Sequence, residues 1–193
     1  SAVSLRMVQT KHRLSEKKAA VPYANGGGSF FSRRIFDELN GFDPIFTPYY
    51  WEDTDLGYRA WKRGYHIVYD PKHSLVHDHQ GTIGKQKKRR LKRIFRRNRR
   101  FFIWRNNTSQ TLFSLVFECS LKPALKALIR VRIGKCLELL GDLSSLPAIM
   151  SARRLAFRQD VRSDAEVLKL WDQSPIEETT EVKEALSNEE VGQ

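Results

Sequence analysis

Residues 46–64 read FTPYYWEDTDLGYRAWKRG, and the reading of that stretch decides how the rest of the chain is organised. Three aromatics, Tyr49, Tyr50 and Trp51, lead into three carboxylates, Glu52, Asp53 and Asp55, after which the pattern turns helical. Leu56 and Ala60 stand four apart, as do Gly57 and Trp61, while Arg59, Lys62 and Arg63 fall toward the other side and Gly64 supplies a stop. Glu52 and Asp53 are thereby placed at or just before a helix N-terminus, where free N–H groups and the helix dipole favour an ionised carboxylate. An aromatic wall beside such a carboxylate suits a sugar ring and a base that takes a proton from one of its hydroxyls. Taken alone, the same residues also make an ordinary acidic helix cap.

Upstream, Ser32 is positioned to cap a short helix carrying Ile35, Phe36 and Leu39, with Asn40 and Gly41 ending it. Val21–Tyr23 and Gly28–Phe31 read as short strands around a glycine turn. Gly26, Gly27 and Gly28 fit neither GxxxxGK[ST] nor GxGxxG, so their expected use is close backbone approach to a strand or a ligand. Residues 1–20 are polar and basic without a period, a loop or lead-in. Downstream, Tyr65–Tyr69 reads as a strand closed by Pro71, and Ser74–Val76 as a second strand leading into His77-Asp78-His79. Period two puts His77 and His79 on one face.

From Arg89 the period is helical, with Leu91, Ile94, Phe95, Phe101 and Phe102 on one stripe. Asn98 falls on that stripe and needs a partner there. A second helix is expected from Pro123 to Gly141, a third over about 143–157 interrupted by Pro147, and a fourth over Asp164–Trp171. Residues 173–193 read as an acidic disordered tail.

Of the 193 residues 40% are hydrophobic, enough for a real core. Cys119 and Cys136, without a second cysteine or histidine at zinc-type spacing, read as core filler. The longest charge-free run, Asn106–Phe117, has 12 residues, too few to span a bilayer. The net charge of +12 is uneven: residues 85–105 hold 12 Lys or Arg and no acid, whereas residues 160–193 hold 10 acids against 3 bases. Partners are sought on the basic stripe.

Four pieces in order, GGGSFFSRRIFDELNGFD (26–43), YWEDTDLGYRAWKRGY (50–65), IVYDP (67–71) and VHDHQGTIG (76–84), resemble the C-terminal half of the catalytic domain of family-2 glycosyltransferases. The likeness is nearest the bacterial rhamnosyl- and galactofuranosyltransferase-like branch of cell-surface polysaccharide synthesis. The resemblance implies a GT-A fold, a nucleotide-sugar donor, a glycan or lipid-linked acceptor and an inverting displacement. It implies Asp53 as general base, with Trp51, Glu52 and Tyr50 holding the acceptor and Gly26–Gly28 beside donor or acceptor. It also implies a divalent ion, Mg²⁺ or Mn²⁺, reached by His77 or alternatively His79. In the family a DxD motif supplies most metal contacts. No DxD stands upstream of Gly26, so the chain is expected to be the acceptor-side half of an enzyme.

The expected architecture is α/β. A lead-in occupies 1–20, a partial GT-A-type sheet 21–84, a basic amphipathic helical extension 85–172, and the tail 173–193. Residues 85–140 of the extension are expected to lie on an anionic membrane surface at the cytoplasmic face. In the alternative, the chain is a basic membrane- or nucleic-acid-binding module without activity, Phe101, Phe102 and Trp104 stacking on bases.

Overall fold

The computed structural model describes residues 3–4, 19–24, 26, 28–69 and 87–172. At its centre lies β3, Ile67–Tyr69, paired in parallel with β1, Val3–Ser4, and antiparallel with β2, Ala19–Ala20. Ile67, Val68 and Tyr69 are all buried, which explains a continuous apolar run in place of an alternating one. The stretch expected as a lead-in thus supplies two strands. Val21–Tyr23 and Gly28–Phe31 are irregular, against expectation. The ladder ends with Val21, whose N–H donates to the Ile67 carbonyl at 2.8 Å, because Pro22 has no N–H to continue it. Among the described residues the sheet is these three short strands, and the remainder is mostly helical. The proposed strand 74–76, Gly27, His77, His79 and the tail lie outside the described residues.

Helix α1, Arg33–Glu38, ends at Asn40 and Gly41, both left-handed at φ 59° and 56°. Ser32 stands at its start but makes no side-chain capping bond. After a 3₁₀ turn, Pro44–Phe46, comes α2, Glu52–Lys62, stopped by Gly64 at φ 86° as the sequence indicates. Helix α3 covers Lys88–Asn106. A helical path then runs through α4, Leu112–Val116, a π turn, Phe117–Leu121, and α5, Lys122–Ile129. The single helix expected over 123–141 is in fact two: α6, Ile133–Gly141, is separated from α5 by a turn with Val131 at φ 54°. Pro147 does not interrupt α7, Leu146–Gln159, but starts it, where a missing N–H costs nothing. Ser163 and Glu166 exchange bonds as a capping box for α8, Asp164–Asp172.

Two apolar cores hold these elements. One gathers Ile35, Leu39, Leu56, Trp61, Ile67 and Val167 around α2; the other gathers Phe46, Phe101, Trp104, Leu115 and Ile149 between α3, α4 and α7. Phe101 is 3% exposed and Trp104 fully buried, which corrects the expectation that they stack on bases or enter a membrane. Arg59 and Lys62 are likewise buried, not on an outer face. Each has acids beside it. Lys62 Nζ lies 3.2 Å from Asp160 and 3.0 Å from Asp164, and Asp164 also accepts from Tyr58 and from the N–H groups of Thr108 and Ser109, each at 2.7 Å. One carboxylate thus joins α2, the end of α3 and the start of α8.

Burial alone raises the Asp164 pKa, but bonds from Tyr58, Lys62 and the Ser109 N–H outweigh it and leave the group below its ordinary value. A carboxylate depressed in the fold adds stability above its unfolded pKa of about 4, and that stability is lost as pH falls through the folded value. Asp164→Asn is therefore expected to cost about 2 kcal/mol at neutral pH. Its unfolding free energy should converge on that of the parent as pH falls through the depressed folded pKa of Asp164. A pH-independent difference between the two would contradict this.

Candidate active site

The aromatic and acidic stretch sits where α2 meets α3, and its backbone is held in an uncommon form. Tyr50 and Trp51 are consecutive left-handed residues, at φ 75° and 76°. For bulky side chains each such conformation costs about 1–3 kcal/mol and persists only where the surroundings fix it. Asn98 fixes it. This fully buried amide of α3 donates to the carbonyls of Phe46, Tyr49 and Tyr50 at 2.7, 3.0 and 2.9 Å, one of its two N–H groups being shared. Its own oxygen accepts from Arg97, which also donates to the Thr47 carbonyl. The polar residue on the apolar stripe of α3 has found its partner in the loop that carries the site.

The aromatic wall leans on the same helix. Trp51 packs on Phe95 and Phe102 with ring centroids 5.4 and 5.2 Å apart, and Tyr50 meets Phe95 and Tyr49 edge-on. These contacts leave polar groups over. The Trp51 indole N–H, one Glu52 carboxylate oxygen and the Tyr49 hydroxyl are buried without a partner among the described residues. Burial, offset by a backbone bond and reinforced by neighbouring Asp53, raises the Glu52 pKa. Unpaired buried polar atoms are costly, and a ligand hydroxyl could satisfy them.

The three acids divide clearly. Asp55 is fully buried: Arg59 donates to it at 2.7 Å, Asn106 donates at 2.7 Å, and Arg105 stands 3.3 Å away. Asp53, half-buried in the first turn of α2, takes the Thr54 N–H on Oδ1 at 2.7 Å, and its Oδ2 has no bond among the described residues. Asp53 therefore keeps an open acceptor, and Asp55 does not.

Gly26 comes close to Asp53 at the start of α2. A Cβ on Gly26 would lie 3.9 Å from the Asp53 Cβ and 3.6 Å from the Phe42 ring. Tyr23 stands near too: burial, then the Asp53 charge, raise its hydroxyl pKa. That approach depends on Gly57, one turn along α2, where a Cβ would fall 2.7 Å from the Tyr23 Cβ and 2.8 Å from the Pro22 carbonyl. A cavity of about 20 Å³ lined by Ala24, Phe31, Leu56, Gly57 and Asp53 opens beside it. Tyr23, Gly57 and Asn98 were not singled out as site residues. Asn98 had a signal, a polar residue on an apolar face; Gly57 and Tyr23 had none strong enough to join residues so far apart in sequence.

The described residues bring together no three His, Cys, Asp or Glu side chains able to hold a metal ion. His77 and His79 fall outside them.

Asn98→Ala removes the side-chain donor to the Phe46, Tyr49 and Tyr50 carbonyls, so it should destabilise the fold by about 2–3 kcal/mol and loosen the loop before α2. Urea unfolding followed by limited proteolysis around residues 47–51 checks both effects. A change under about 0.5 kcal/mol would show that the left-handed pair is held by something else.

No curated protein and no solved structure matches the sequence. Residues 6–152 match the family described as "Glycosyl transferase family group 2", a span from the β1–β2 segment through α6 and into α7. The match covers most of the chain and includes α3 to α6, so those helices lie within the family's region, and the chain belongs to glycosyl transferase family group 2.

Proposed function

We propose that Asp53 is the general base of an inverting transfer from a nucleotide sugar to a hydroxyl of a glycan or lipid-linked acceptor. Family membership implies glycosyl transfer, with a nucleotide-sugar donor and an acceptor. The observation that carries the finer reading is the contrast between a sequestered Asp55 and an Asp53 whose Oδ2 has no bond among the described residues. In this reading the acceptor O–H lies on Asp53 Oδ2. The acceptor oxygen forms a bond to the anomeric carbon, the bond from that carbon to the diphosphate oxygen breaks with its electron pair leaving on the diphosphate, and the acceptor proton passes to Asp53. A sugar hydroxyl is far less acidic than a carboxylic acid, so the proton moves late, once the attacking oxygen has become positive.

Glu52, Trp51 and Tyr50 orient the acceptor, with the unpaired Glu52 oxygen and Trp51 N–H as its contacts. A divalent ion, Mg²⁺ or Mn²⁺, belongs to the reading through His77, or alternatively His79, with most ligands from a donor-binding half upstream. The described residues do not form its site. The branch, the GT-A sheet and a role in cell-surface polysaccharide synthesis at the inner face of the membrane complete the proposal.

Asp53→Asn keeps the shape and the Thr54 bond but cannot accept the proton. In the complete enzyme it should lower kcat by roughly a hundredfold or more while substrate affinities stay near normal. Glu52→Gln should act mainly on acceptor KM. Near-normal kcat for Asp53→Asn would return the carboxylate to a helix cap.

A further inference from the structure

We infer that the α5–α6 hairpin is a membrane-docking element, its apolar face entering the interfacial region of an anionic bilayer. This locates the membrane contact of the preceding reading and rests on that reading only in expecting a membrane at all. Ala124 and Ala127 of α5 meet Cys136 and Leu139 of α6, and these four small or medium side chains are the whole buried core of the pair. With 100° per residue and a tight turn between antiparallel helices, the exposed residues of both then fall on the same side. Leu125, Leu128 and Ile129 of α5 and Ile133, Leu137 and Leu140 of α6 are all exposed, Ile129 by 73% and Leu137 by 64%. Contiguous exposure on this scale marks an interaction site, not scattered surface leucines.

The turn points the same way. Val131 is 79% exposed and left-handed at φ 54°, a conformation that glycine adopts freely and that strains a β-branched side chain. Folding alone favours glycine there; an apolar tip is useful to a bilayer.

The charge decides the occupant. Lys126 borders the apolar stripe at its outer edge, Arg130 lies further round α5 and Arg132 follows the tip, and all three are exposed without an ion pair among the described residues. The acids nearby are already matched, Glu118 with Lys122 and Glu138 with Arg93. A second copy would set these basic edges against each other, whereas an anionic leaflet neutralises them while taking up the apolar side chains.

The test is co-sedimentation of the 193-residue chain with phosphatidylcholine vesicles, with and without phosphatidylglycerol, alongside sedimentation velocity without lipid. The parent should prefer anionic vesicles by roughly tenfold or more. Ile129→Glu with Leu137→Glu should lower that binding by roughly tenfold or more at moderate salt, with circular dichroism unchanged. Val131→Gly should keep or raise the melting temperature and still weaken binding. Asp53→Asn should bind as the parent does, which separates this proposal from the catalytic one. Equal binding by the parent and the double variant would overturn it. So would loss of a dimer in the double variant with vesicle binding intact, which would make the face a self-interface.

Discussion

A fully buried carboxylate, Asp55, sets the arrangement of everything around the candidate site. Arg59 and Asn106 saturate it from two helices, and Arg105 beside it reaches Asp43 at 2.9 Å. Arg59 also donates to the Leu39 and Gly41 carbonyls that close α1. Through Arg59 and Arg105, Asp55 is linked to the end of α1, to Asp43 and to α3. Removing one partner of such a cluster leaves an uncompensated charge in the interior, which is why the segments have little freedom to separate.

That lock makes the strained loop affordable. With the C-terminal end of α3 fixed on α2, Asn98, two turns earlier, is brought beneath residues 46–50 and holds Tyr50 and Trp51 in left-handed form. The chain then enters α2 with Trp51 packed against α3 and with Asp53 half-buried beside Gly26. Rigid support and an open functional group are produced by neighbouring acids of one sequence motif, through different partners. Arg153 of α7 donates to the Trp104, Asn107 and Gln110 carbonyls, so α7 fastens that same C-terminal end of α3.

Much of this was legible because it is local. The start and stop of α2, the left-handed Asn40 and Gly41, β3 and α8 follow from periodicity and from residues that tolerate particular backbone angles. Asn98 was legible as a need without an address. What escaped reading depends on contacts distant in sequence. Arg59 and Lys62 look like a solvent face until Asp55, Asp160 and Asp164 arrive beside them. Phe101 and Trp104 look like an exposed basic-aromatic stripe until α4 and α7 cover them. Pro22 and Gly57 act together, one ending the β2 ladder and the other admitting the backbone of Tyr23, and no spacing rule links them. The hairpin break at Val131 escaped because a β-branched residue gives no warning of a left-handed turn.

Two carboxylates separated by a single residue differ in their partners: Asp55 is held by Arg59 and Asn106, whereas Asp53 Oδ2 has no bond among the described residues. Equilibrium unfolding of Asp55→Ala and Asp53→Ala under the same conditions tests that difference most directly. Asp55→Ala should lose about 3–5 kcal/mol, the usual cost of stranding buried partners. Asp53→Ala should stay within about 0.5 kcal/mol of the parent. Equal losses, or a larger loss for Asp53→Ala, would contradict the account.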